Sequence, residues 1–137
     1  MSYLGLDIGT GGCKAVVYNR EGIELASSFR EYPVLYPHQG WAELNPDQVV
    51  DNCFEVIEDV NSKITDPVVS MSISSQGEAF TPVGWDGQAL GNAMVSSDAR
   101  ARDISIDWSE NFGTEKIYMK LLVILRIRCL PFIKFYG

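Results

Sequence analysis

The chain has 137 residues, 46% of them apolar and 21% charged, with a formal net charge of −7. That size and balance suit one globular domain or a piece of one, and the acidity argues against nucleic acid as a partner, which needs a basic face. Three scattered cysteines (Cys13, Cys53, Cys129), no C-x-x-C pair and a single histidine, His38, argue against a zinc site or a disulfide framework and suit a reducing cytoplasm.

The first elements alternate apolar residues with turns. Tyr3 to Asp7 reads as a strand, about Lys14 to Tyr18 as a second, and Ile23 to Arg30 as a third, together an antiparallel meander. Residues 31–46 carry Pro33, Pro37, Gly40 and Pro46 and read as irregular. Asn45 followed by Pro46 and Asp47 is a favoured helix start. Val49, Val50, Cys53, Phe54, Ile57 and Val60 then recur at helical spacing through residue 63. After the break at Asp66-Pro67, Val68 to Ser75 alternates apolar and small polar residues as a fourth strand. Asp86-Gly87 signals a two-residue hairpin turn, Leu90 to Val95 returns as a short strand, and Asp98 to Asn111 reads as helical. No charged n-region and apolar h-region open the chain, so no secretory signal is evident.

The chemistry concentrates between the first two strands, in Asp7-Ile8-Gly9-Thr10-Gly11-Gly12-Cys13-Lys14. Asp7 offers a hard oxygen ligand of the kind Mg²⁺ prefers. Gly9, Gly11 and Gly12 let backbone N–H groups approach phosphate oxygens, Thr10 adds a hydroxyl, and Lys14 adds a positive charge. The loop lacks the Gly-Lys-Ser/Thr ending and the following helix of a P-loop. It also lacks the G-x-G-x-x-G pattern of a dinucleotide site. The plainer alternative is a Gly-rich hairpin with an incidental acid, in which Asp7 is a turn residue and Lys14 a solvated strand lysine.

Three antiparallel strands, a helix and a fourth strand are how a ribonuclease-H-like (actin-like ATPase) α/β core begins. In that topology the Asp7 loop and Gln76-Gly77-Glu78 end up facing one cleft. With these pieces in order, the chain resembles the FGGY carbohydrate kinase family. Asp7-x-Gly9-Thr10-x-x-x-Lys14 resembles its first phosphate motif. Gly40-Trp41-Ala42-Glu43-Leu44-Asn45-Pro46 resembles its G-W-x-E-x-[DN]-P segment. Ser74-Ser75-Gln76-Gly77-Glu78 stands where xylulokinases carry Gln-Met-His and glycerol kinases Gln-Arg-Glu, and Val95 to Arg100 resembles the W-x-D-x-R region.

The resemblance implies ATP and Mg²⁺ as cofactors of the parent enzyme and a small-molecule sugar as substrate, with a xylulose-type ketopentose favoured. Asp7 would help hold the metal. Gly9, Thr10, Gly11 and Lys14 would contact or neutralise phosphate oxygens. Phosphoryl transfer depends mainly on such positioning and charge neutralisation. Gln76, Gly77, Glu78 and Asp98 would lie at the sugar. Plainer roles stand beside these: a turn cap for Glu78, a helix N-cap for Asp98, an ion pair for Arg100, packing or a lid for Trp41, an exposed loop position for His38. The resemblance leaves room for a homo-oligomer in the parent, and it places the catalytic aspartate and the adenine site beyond residue 137.

The chain departs from the family at Ser96, where many relatives have Trp, and at Gly77, where they have Met or Arg. It departs most after residue 118. All 18 acids fall at or before Glu115, while Lys120, Arg126, Arg128 and Lys134 give the apolar stretch 119–137 a basic character. We therefore read 1–118 as a partial N-terminal kinase domain and 119–137 as an atypical tail. A frameshift or early stop is the favoured origin of the tail. A variant closing helix and a segment lying on a membrane surface are the alternatives, since the tail is too short and too charged to span a bilayer. On this reading the chain alone lacks the general base and is not an efficient kinase. Its rivals are a non-catalytic sugar- or phosphate-binding module and a non-functional truncation product.

Overall fold

Alternation along the first three strands decides the sheet. The computed structural model describes residues 1–102. Strands β1 (Ser2–Ile8), β2 (Gly12–Asn19) and β3 (Glu24–Glu31) form the expected antiparallel meander. Leu4, Leu6, Cys13, Ala15, Val17 and Ala26 point to one face and are buried. The β2–β3 turn is made locally: Asn19 Oδ1 accepts from the N–H groups of Glu21 and Ile23, and Gly22 takes the left-handed φ of 78°. Glycine adopts that conformation without Cβ strain.

After β3 the chain makes the two-residue strand β4 (Glu43–Leu44) inside the stretch expected to be irregular, then helix α1 (Pro46–Ser62). Asn45 caps α1 as anticipated: its Oδ1 accepts from Asp47 N at 3.0 Å and Gln48 N at 3.2 Å, two of the otherwise orphaned first-turn donors. The helix packs on β2 and β3. Cys53, Val56 and Val60 are buried there, flanked by half-buried Val49 and Ile57. The apolar stripe is therefore narrower than the sequence periodicity suggested. Val50 and Phe54, one position round the helix, are exposed, while Val56 lies on the contact line. Burying one such side chain contributes about 1.5–3 kcal/mol.

Strand β5 (Val68–Ser75) returns beside β1 and runs parallel to it, giving the order β3-β2-β1-β5. Its partners Leu4↔Met71 and Leu6↔Ile73 put Val69, Met71 and Ile73 on the helix side of the sheet. These three are nevertheless 52%, 52% and 56% exposed, because α1 packs chiefly over β2 and β3.

The hairpin that follows differs from expectation in two ways. Its loop has three residues, with Gly84 N donating to Gln88 O (2.8 Å), Gly87 N to Gly84 O (3.0 Å), and Gly87 at φ 81°. A left-handed glycine closing a three-residue loop is a standard hairpin alternative to the two-residue turn. The returning strand is only β6 (Ala93–Met94), paired antiparallel with β4. Pro82 has no N–H to give, so the ladder below it breaks into the isolated bridges Phe80↔Met94 and Val83↔Ala89.

The chain divides into two units, Met1–Ser97 and Asp98–Gly137, and of the second only residues 98–102 are described. Most of the helix expected from Asp98 to Asn111, and all of the basic tail, lie outside the described residues. Among the described residues no helix is long and apolar enough to cross a membrane.

Candidate functional site

Parallel pairing of β1 and β5 brings the loop and the second motif together. Ile8 and Ser75 are register partners, and Gln76 N donates to Ile8 O at 3.0 Å. The Gly9–Gly11 loop and Gln76 therefore leave the same end of the sheet, at the carboxyl ends of two parallel strands. Ligands of open α/β sheets bind at such ends. The contact is direct: Thr10 Oγ1 donates to Gln76 Oε1 at 2.7 Å, and Gln76 Nε2 approaches Gly9 O at 3.4 Å. These two partners also orient the amide, since exchanging its oxygen and nitrogen would set two acceptors against each other at Gly9.

The loop is tight. Gly9 N donates to Gly12 O (2.9 Å), and Tyr32 holds two loop carbonyls, its hydroxyl donating to Gly9 O (2.7 Å) and its N–H to Gly11 O (3.3 Å). Gly12 has no room for a side chain, because a Cβ there would stand 2.6 Å from Arg30 O and 2.8 Å from the Phe29 ring. Among the described residues nothing accepts from the N–H of Thr10 or of Gly11. Two free N–H groups in a glycine-rich turn form a concavity suited to an anion.

Asp7 and Lys14 are direct cross-strand partners, and Ser74 faces Asp7 from β5. They line an open hollow of about 250 Å³ with Gly5, Val16, Tyr18 and Ser72, on the sheet face opposite α1. Neither charge takes part in an ion pair among the described residues, so carboxylate and ammonium are both available to a ligand. No group of three or more His, Cys, Asp or Glu side chains is gathered there or elsewhere among the described residues. A cage made of protein ligands is thus not the mode that fits. One carboxylate does fit Mg²⁺, which commonly takes one or two carboxylates, substrate phosphates and waters.

The other motif residues are placed with less contact. Gly77 and Glu78 are exposed beyond Gln76. A second hollow of about 240 Å³, lined among others by Gln76, Ile8, Pro46, Val49 and Phe80, opens on the α1 side. Asp98, in the second unit, accepts from Arg100 N (3.0 Å), Nε (2.8 Å) and Nη2 (2.7 Å), a turn closed by a two-pronged ion pair. Arg102, two residues further on, is the helical position described. Trp41 sets its ring edge-on to His38 at 4.6 Å.

Two residues escaped the sequence reading. Glu43 is buried and accepts from Asn92 Nδ2 at 2.8 Å, tying the G-W-x-E segment to the chain before β6. Tyr32 is 4% exposed, and burial pushes its hydroxyl up to about 12, so it is a neutral donor. Its one sequence signal was a hydroxyl-bearing aromatic where the inward alternation of β3 continues.

Comparison with known proteins agrees with this geometry. Residues 2–131 match the N-terminal domain of the FGGY family of carbohydrate kinases. The chain is 35% identical over 119 residues to L-xylulose/3-keto-L-gulonate kinase of Escherichia coli (strain K12), covering 85% of this chain and 24% of that protein. It is 29% identical over 128 residues to glycerol kinase of Trichodesmium erythraeum (strain IMS101), covering 89% and 25%. Among solved structures, gluconate kinase and ligand-bound xylulose kinase from Lactobacillus acidophilus each superpose with a TM-score of 0.80 at 30% identity, over 86% of this chain and 24% of theirs. The chain thus spans about a quarter of the length of the relatives it matches. The shared fold is the α/β ribonuclease-H-like fold of the actin-like ATPases, and the chain belongs to the FGGY family of carbohydrate kinases.

Proposed function

We propose that the chain is the nucleotide-phosphate and sugar-contacting opening of an ATP-dependent sugar kinase, whose parent transfers the γ-phosphate to a hydroxyl of a xylulose-type ketopentose. The observation that carries this is the 2.7 Å bond between Thr10 and Gln76, which joins the phosphate-type loop to the sugar-type turn at one sheet end. Thr10 and Gly11 would meet phosphate oxygens through their N–H groups, Gly9 would shape the turn that presents them, Lys14 would neutralise charge, and Asp7 would ligate Mg²⁺. When bound, the metal supplies charge neutralisation between phosphate groups. Gln76, Gly77 and Glu78 would meet sugar hydroxyls. Xylulose is favoured on the 35% identity to an L-xylulose/3-keto-L-gulonate kinase; glycerol kinases, at 28–33% identity, also recur among the relatives. The buried free thiols Cys13 and Cys53 accord with a reducing cytoplasm. With Asp7 assigned to the metal and Glu78 to sugar hydroxyls, neither is assigned the role of base toward the reacting hydroxyl, and turnover by these 137 residues is not expected.

Titration of the chain with Mg·ATP and with xylulose, glycerol and gluconate, followed by assay for phosphorylated product, tests the reading. Saturable xylulose binding, stronger than glycerol or gluconate binding and without product, is expected. Product from the pure chain would overturn the missing-base claim. Equal binding of the three sugars would remove the xylulose preference, and no saturable binding of any ligand would remove the site.

A further inference from the structure

Thr10 has two groups that could donate to an anion, and the structure treats them differently. Its hydroxyl already donates to Gln76 at 2.7 Å, whereas its backbone N–H has no acceptor among the described residues. What aims that N–H is the peptide to which it belongs. Among the described residues no peptide bond is cis. In a trans peptide the C=O of one residue and the N–H of the next point in opposite directions across one rigid plane. The Gly9 carbonyl is turned inward onto the Tyr32 hydroxyl at 2.7 Å, so the Thr10 N–H is turned outward.

Glycine gives this peptide little resistance to rotation, so its direction has to be held from outside. Gln76 Nε2 helps only at 3.4 Å. Tyr32 is the principal holder: it is buried, it begins where β3 ends, and its own N–H fixes the Gly11 carbonyl at 3.3 Å. Without the hydroxyl the Gly9 carbonyl would face the ring with only the long 3.4 Å contact from Gln76 Nε2. A half-buried acceptor left with one weak donor gains by turning to water, and the peptide would rotate that way and carry the N–H with it.

We infer that Tyr32 is the positioning residue of the phosphate loop: its hydroxyl, by holding the Gly9 carbonyl, aims the Thr10 N–H at the anion. The inference rests on the phosphate reading of the loop. It also assigns the anion contact at Thr10 to the backbone and leaves the side chain as the tie to Gln76.

The test compares the 137-residue chain with Tyr32→Phe, which keeps the ring and removes the hydroxyl. Both are titrated with pyrophosphate while amide proton–nitrogen spectra and unfolding midpoints are recorded. The Thr10 and Gly11 amides should move most in the wild-type chain. Tyr32→Phe should bind about tenfold more weakly, the weight of one buried hydrogen bond, with the Thr10 amide displaced and the amides of β1, β2 and α1 in place. Equal affinity in the two chains overturns the role of Tyr32 and leaves the phosphate site standing. Saturation that leaves the Thr10 amide unmoved also overturns the inference. No saturable binding by the wild-type chain overturns the phosphate reading, and the inference falls with it. Should Tyr32→Phe fail to fold, the chain labelled with 3-fluorotyrosine decides: its Tyr32 fluorine resonance should shift with pyrophosphate in step with the Thr10 amide, and an unmoved resonance overturns the inference.

Discussion

The two faces of one sheet are made by alternate residues of the same strands, yet they do different work. On the helix side Leu4, Leu6, Ala15, Val17 and Ala26 close against Cys53, Val56 and Val60 of α1. On the other side Tyr3, Tyr18, Leu25 and Phe29 are each 39% exposed or more, and Asp7 and Lys14 stand open among them. The open face is the more polar of the two, with Asp7, Lys14, Ser72 and Ser74 on it, yet it also carries large apolar side chains; β3 even sends Ser28 inward and Phe29 outward. Stability therefore resides on the face that a helix reaches, and the chemistry-bearing charges reside on the face that none of the described helices covers. Large apolar side chains left open on a second sheet face suit α/β proteins with layers on both sides. That agrees with relatives about four times as long as this chain.

The sharpest break of this comparison is a pair of truncations. Leu6→Ala on the closed face should cost about 2–5 kcal/mol, the range for emptying a packed site. Leu25→Ser on the open face should cost under about 1 kcal/mol, since a half-exposed side chain has already kept part of its water. Urea unfolding midpoints check both, and equal costs would mean that the faces do not differ.

A second contrast lies within the loop. Gly12→Ala should cost about 1–3 kcal/mol, the range for overpacking, because the added Cβ meets the Arg30 carbonyl, which cannot give without moving β3. Gly11→Ala meets nothing within 4 Å and should leave the unfolding midpoint in place. A tolerated Gly12→Ala would show that β2 and β3 are not held that closely.

The smallest effect is a pH dependence of the closed face. Burial raises the Cys53 thiol from its ordinary 9.0 to about 11, and the adjacent Cys13 thiol rises for the same reason. A raised acid holds its proton more tightly in the folded chain, so stability is complete below about pH 9 and falls as pH climbs toward 11. Unfolding midpoints from pH 8 to 11 in reductant should be level at first and then decline. A level profile throughout would place the thiols in water.

Much of the fold was legible. The meander, the Asn45 cap and the bounds of the long strand Val68–Ser75 followed from local rules, since alternation, capping and turn chemistry act over a few residues. The failures were at positions governed by distant partners. Val50 and Phe54 fit a helical stripe, but only the line of α1 across β2 and β3 decides which apolar residue on it is covered. The strand expected at Leu90–Val95 shrank to Ala93–Met94 because its partner β4 is two residues long. Within the site, Asp7, Thr10 and Lys14 were visible as chemistry, while Tyr32 was not, because its hydroxyl matters only through a carbonyl 23 residues earlier.

By itself, the sequence determined the kinds of elements, the loop's ability to approach an anion, and the family, because these depend on residue type and short spacing. Tertiary structure decided which loop donors are free. The Thr10 hydroxyl is taken by Gln76 from 66 residues away, and the Gly9 carbonyl is taken by Tyr32. A hydrogen bond uses up a donor wherever in the chain its acceptor lies, so the donors left for a ligand emerge only after β1 and β5 have paired.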